Sequence, residues 1–262
     1  MRKTIEKYPA VLYYIFVLVI SGVLLVPQNV LSKVSDYSIS FPQLAPTLAV
    51  LSIYIITKNR DVWIKIKKSF SLFEKNSKWI PVILVISITS VALTAGVLSF
   101  FGLSYHPWEG SITFHIANIV AMVFGCMFEE IGWRGFLLPT LGKKHTPFIS
   151  TLIVGVLWGF WHMSFNLGIF GFLIFIVSAM ELSILMTWVY YKTDGNLLLM
   201  TIWHVSINTT NQFLLRGRLT AEGFTAFVAV LTVICLFVVI FNKDLFMKKR
   251  QNLSIIRSCV NT

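Results

Sequence analysis

AMVFGCMFEEIGWRGFLL, residues 121–138, sets two carboxylates and a guanidinium inside an apolar run. The run belongs to a longer apolar segment, 112–141, which exceeds the roughly 20 residues that a helix needs to cross a bilayer. Ionisable groups at that depth are costly, so they face a protein interior rather than lipid. Outward from this stretch, further apolar segments follow at 8–26, 41–57, 79–101, 146–167, 169–191, 196–213 and 224–241. The expected fold is therefore an all-α polytopic membrane protein of about eight transmembrane helices, forming a single domain over 1–262. Composition agrees. Hydrophobic residues make up 56% of the 262, charged residues 13%, and the mean hydropathy is +0.77. A soluble domain runs at about 45–50% apolar and about 25% charged. The first segment ends Val-Pro-Gln-Asn without a small-x-small cleavage pattern, so it reads as a retained anchor.

A net charge of +11 raises the question of nucleic acid, and the distribution of the charge answers it. With the N-terminus placed in the cytosol, Lys33, Arg216 and Arg218 are the only ones of the 22 Lys and Arg residues to fall on the far side. This is the positive-inside pattern, and it predicts both termini in the cytosol. The basic charge reports topology, with membrane lipid as the partner and no nucleic acid. Segment 58–78 carries seven basic and two acidic residues around Val62, Trp63, Ile64, Ile66, Phe70 and Phe73. An amphipathic helix on the anionic leaflet and a solvated loop both fit it. Cys126, Cys235 and Cys259 have no metal-ligand spacing and read as small hydrophobes.

The polar residues inside the spans form three short motifs. In Glu129-Glu130-Ile131-Gly132-Trp133-Arg134, Glu130 and Arg134 stand four apart and share a helical face. Glu129 is rotated about 100° from Glu130 and is free to face a cavity. The second motif is Trp158-Gly159-Phe160-Trp161-His162, followed by Asn166; the third is His204-Val205-Ser206-Ile207-Asn208, another i, i+4 pair. Thr151, Gly155 and Gly159 recur every four residues and predict a close helix–helix seam on about the face that carries His162 and Asn166. Taken singly, each polar motif is as readily a structural contact. Their depths make them a set. At about 1.5 Å per residue, Glu129 lies about 20 Å above Gly142, His162 about 24 Å above Thr146, and His204 about 12 Å above Asn196. All three can meet in the inner half to the middle of the bilayer.

A carboxylate and a neutral imidazole around one water can take its proton and make it a nucleophile toward a carbonyl. A second His and an Asn amide can donate hydrogen bonds to the oxyanion. Such a set hydrolyses amides. The alternative is a two-His, one-Glu zinc site made of Glu129, His162 and His204. At the level of residue types both remain open.

The three motifs, in this order on separate helices, resemble the CAAX-protease and bacteriocin-processing family, which includes type II CAAX prenyl endopeptidases and abortive-infection proteins. The family pattern is Glu-Glu-x-x-x-Arg, then Phe-x-x-x-His, then His-x-x-x-Asn or a similar residue. Glu129, Glu130 and Arg134 match the first part, Trp158 and His162 the second, and His204 and Asn208 the third, with Trp158 standing where the pattern has Phe. Tyr190 to Asn208, with Lys-Thr-Asp-Gly-Asn leading into the last His, is also similar. The resemblance covers about 112–213, the expected catalytic core. It implies an intramembrane endopeptidase acting on a peptide or membrane protein. It also implies that Glu129 and His162 activate water, that His204 and Asn208 stabilise the oxyanion, and that Glu130, Arg134 and Trp158 support the site. Family names often say metalloprotease. The metal-free version is favoured here because a fixed zinc leaves Asn208 without a task.

The competing readings are a non-proteolytic immunity or scaffold protein that keeps the family helices, and a proton-coupled transporter, which also buries Glu, His and Arg. Glu181, in the sixth segment, lies about 16 Å deep and is expected to play a structural role, with Arg134 within its reach. His106, His115 and His145 match no motif and read as loop or interface residues.

Overall fold

The computed structural model describes residues 2–31, 40–71, 73–103, 112–215 and 220–249, and every regular element among them is a helix. In order, α1 is Pro9–Leu31, α2 Ala45–Thr57, α3 Trp79–Phe100, α4 Ile112–Gly132, α5 Pro147–Trp161, α6 Gly168–Lys192, α7 Leu197–Leu215 and α8 Ala221–Phe241. Five helices are long and apolar enough to cross a membrane, over Pro9–Val30, Trp79–Phe100, Ile116–Gly142, Gly168–Lys192 and Ala221–Phe241. Phe41–Thr57 and Pro147–Trp161 are apolar but shorter. The expected span 196–213 corresponds to α7, which carries His204, Ser206, Asn208, Thr209, Thr210, Asn211 and Gln212 and is correspondingly more polar. That polarity is sheltered, because α7 packs against α3 and α4 and runs through the interior.

Local chemistry sets the helix ends. In a low-dielectric layer the first N–H groups of a helix need acceptors from the protein. The Thr146 hydroxyl accepts from the Ile149 N–H at the start of α5, with Pro147 in the first turn. The Asn196 side chain accepts from Leu199 N–H at 3.0 Å as α7 begins. Between α6 and α7 the chain reverses through Asp194 and Gly195, with φ of 55° and 87°. Gly195 tolerates that conformation without steric cost, and its N–H returns to Tyr190 O at 2.8 Å. The Lys-Thr-Asp-Gly-Asn run is thus a helix stop and the cap of the next helix.

The small-residue seam forms as expected. A Cβ on Gly155 would stand 2.5 Å from Met180 Cα, and one on Gly159 would stand 2.9 Å from Ile176 Cα, so α5 lies backbone to backbone against α6. Segment 58–78 contains a helix, Asp61–Phe70, whose buried Ile66 faces Gly135.

Three expectations are revised. The first helix continues through Pro27 to Leu31 instead of ending at 26; proline is tolerated within membrane helices, where neighbouring groups and local adjustment re-satisfy the freed backbone. The fourth segment is not a uniform α-helix, because Trp133–Leu137 is a π-turn between α4 and the short helix Leu138–Gly142. The fifth stops at Trp161, and Met163 adopts φ 46°, so His162 and the exposed Asn166 do not share a helical face. His145 lies exposed in the turn before α5. His106, Lys33, Arg216, Arg218 and Cys259 lie outside the described residues, as does the His115 side chain.

Candidate active site

α4 brings Glu129 and Glu130 into the bundle on consecutive residues, and both side chains are buried. The helical rotation between them sends them to different partners. Glu130 Oε1 accepts from Arg134 Nη1 at 2.9 Å, one turn on, and stands 2.9 Å from His204 Nδ1 on α7. Arg134 Nη2 donates to Ser183 Oγ of α6 at 3.3 Å. A buried carboxylate and guanidinium are tolerated when they are paired, as these are, although Glu130 Oε2 and Arg134 Nε have no hydrogen-bond partner among the described residues. The π-turn begins one residue before Arg134, and such turns are common at functional sites.

Glu129 faces the other way. Its Oε1 accepts from the Gln43 side-chain amide at 2.9 Å and its Oε2 from the Trp158 indole N–H at 2.9 Å. Gln43 belongs to the short 3-10 turn Phe41–Leu44 that leads into α2, and its side chain lies over Gly125, where any larger residue would collide with it. Trp158 on α5 is the junction of the cluster. Its ring lies 4.6 Å from the Arg134 guanidinium and meets the His204 ring edge-on at 5.1 Å. Its carbonyl stands 2.8 Å from His162 Nδ1.

That last contact orients His162. A carbonyl oxygen only accepts, so Nδ1 carries the hydrogen, and in the neutral ring Nε2 keeps a free lone pair. His162 is exposed at the end of α5, with its ring against Trp161 and Phe175. Among the described residues no hydrogen bond joins it directly to Glu129; the two are linked through Trp158. Asn208 lies one turn beyond His204, and its amide reaches Cys126 Sγ at 3.8 Å. A thiol is a weak acceptor, so that amide is easily recruited elsewhere.

The structure therefore gathers Glu129, Glu130, Arg134, Trp158 and His204 into one contact network, with His162 attached through Trp158 and Asn208 beside it. Glu181 does not reach Arg134. Its Oε1 accepts from Thr232 Oγ1 of α8 at 2.5 Å, and Ser183 takes the place at Arg134. The reason is helical rotation, since residues two apart point to opposite sides of α6. Among the described residues no three His, Cys, Asp or Glu side chains are grouped as metal ligands. Both oxygens of Glu129 are turned to N–H donors. Sequence reasoning missed Gln43, Ser183 and Cys126. The signal available for Gln43 was a lone amide at the mouth of an apolar helix, in Phe-Pro-Gln-Leu.

Residues 111–210, which include both glutamates, Arg134, Trp158, both site histidines and Asn208, match the family model described as "Type II CAAX prenyl endopeptidase Rce1-like". The chain is also similar to "CAAX prenyl protease 2" of Methanococcus maripaludis, at 26% identity over 269 residues, covering 93% of this chain and 97% of that protein. Three motif-bearing helices converge on one buried acid cluster, and with it these similarities support a membrane protease of the CAAX-protease and bacteriocin-processing type.

Proposed function

We propose that Glu129 is the carboxylate that activates water for peptide-bond hydrolysis within the membrane, assisted by His162, and that His204 and Asn208 stabilise the oxyanion. The observation that carries the reading is the division of labour between adjacent glutamates. Glu130 is locked between Arg134 and His204, whereas Glu129 holds neutral N–H donors and has no cation bonded to it. A water admitted beside Glu129 would find a carboxylate to take its proton and, at His162 Nε2, a second acceptor. The Glu130 carboxylate orients His204 through Nδ1; in the imidazolium form of that ring Nε2–H is a donor as well and can meet the oxyanion. The Asn208 amide, exchanging its weak thiol partner for an anion, supplies a second donor. Family relatives are named for prenylated CAAX substrates, so a prenylated C-terminal peptide is the first substrate to offer. The basic-residue pattern supports reading both termini as cytosolic, with the site in the inner half to the middle of the bilayer.

The test is cleavage by purified, reconstituted protein of a farnesylated C-terminal peptide and of its unprenylated counterpart. Cleavage of at least one is expected. Asn208→Ala should lower kcat by roughly 10²–10³-fold, the usual loss for one oxyanion donor, with KM nearly constant. An Asn208→Ala form that turns over normally would remove Asn208 from the mechanism.

A further inference from the structure

Away from the glutamate cluster, a cavity of about 540 Å³ opens at the basic end of the bundle. Four separate parts of the chain wall it: the N-terminal stretch from Arg2 to Pro9, the end of α2, the Asp61–Phe70 helix, and the stretch from Gly135 to Lys143. Each brings one cation, namely Arg2, Lys58, Lys65 and Lys143. Arg2 is engaged by Glu6 at 2.9 Å. Among the described residues the three lysines have no ion-pair partner, and the lining offers them only one further carboxylate, Asp61.

Lysines that merely solvate a surface diverge, and these line one concavity. Lys58 does so from a left-handed conformation, φ 57°, at the end of α2, a place where glycine is the usual residue. Beneath the cations the lining turns apolar, with Ile5, Ile53 and Phe136 buried in the floor. A cationic rim over an apolar floor, level with the helix ends, matches a phosphate carried on a glycerol with acyl chains below it.

We propose that this cavity binds the headgroup phosphate of an anionic phospholipid. Lys58, Lys65 and Lys143 hold the phosphate, and the apolar floor takes the start of the chains. The site also has a mechanical link. Gly135 and Phe136 in its wall directly follow Arg134, whose guanidinium holds Glu130 and Ser183, so an occupied cavity braces the π-turn that presents Arg134.

Native mass spectrometry and thermal shift on the full-length protein in detergent test it. The probes are dioleoyl phosphatidylglycerol, dioleoyl phosphatidylcholine and inorganic phosphate. The protein should retain one phosphatidylglycerol in preference to phosphatidylcholine. The triple variant Lys58→Gln, Lys65→Gln, Lys143→Gln should weaken that binding on the order of 100-fold, at about fivefold for each lysine near an anionic headgroup. The exposed Lys67, Lys144 and Lys192 do not line the cavity. Changing all three of those to Gln removes the same charge and should leave the bound lipid in place. Equal losses in the two triple variants, or equal retention of phosphatidylcholine, would overturn the proposal. Stabilisation by inorganic phosphate as strong as that by the lipid would also overturn it, assigning the cavity to a soluble anion.

Discussion

Trp158 makes four of the contacts that hold the cluster together: indole N–H to Glu129, ring face to Arg134, ring edge to His204, and carbonyl to His162. A phenylalanine keeps the two ring contacts and the carbonyl but cannot donate. Trp158→Phe therefore isolates the N–H bond to Glu129, and Gln43→Leu isolates the other. A hydrogen bond to a carboxylate contributes about 1.5–3 kcal/mol, so each variant should lose about tenfold to 100-fold in kcat/KM while keeping its fold. Steady-state kinetics on both variants check this. Unchanged rates in both would mean that the orientation of Glu129 does not limit turnover. At this scale the sequence was half legible. The Glu130–Arg134 pair was readable because helix geometry makes i, i+4 neighbours. Gln43, Ser183 and Cys126 were not, because their contacts cross helices that no local rule places side by side.

The seam between α5 and α6 positions Trp158 and His162 relative to Ser183. It depends on Gly155 and Gly159, where an added methyl would press on Met180 or Ile176 backbone. Backbone cannot yield as a side-chain tip does, and overpacking of this kind costs about 1–3 kcal/mol. Gly155→Ala should therefore lower thermal stability in detergent. Gly96→Ala, where a Cβ meets nothing within 4 Å, should leave it unchanged or raise it slightly. Equal melting temperatures for the two variants would mean that α5 and α6 are not packed this closely. The seam was legible because small residues every four positions have few other uses in a membrane helix. The π-turn at Trp133–Leu137 was not, since an i→i+5 turn leaves no mark in hydropathy. Nor was the stop at Trp161, which lies in the middle of an apolar run and depends on the left-handed turn at Met163.

For the molecule as a whole, hydropathy carried the reading of the fold, because lipid demands long apolar helices. A helix such as α7 is the exception, with its polar residues sheltered by α3 and α4 instead of meeting lipid. The distribution of basic residues predicts that single cysteines replacing Lys65 and Lys249 are labelled from the cytosolic side, and one replacing Arg216 from the opposite side. Labelling of a Lys65→Cys protein from the outer face would invert the orientation and move the candidate site toward the other leaflet.

The proposed division of labour between two adjacent glutamates is tested most directly by paired substitution. Glu129→Gln is nearly isosteric and breaks no ion pair, so the variant should be expressed and melt like the parent but cleave no peptide. Glu130→Gln leaves Arg134 without its carboxylate and His204 without its orienting partner. Breaking a buried pair costs about 3–5 kcal/mol, so this variant should lose folded protein as well as activity. The measurement is peptide cleavage and melting temperature on both purified variants, side by side with the parent. A stable Glu129→Gln protein with undiminished cleavage, or an unstable Glu129→Gln beside a folded but inactive Glu130→Gln, would contradict the account.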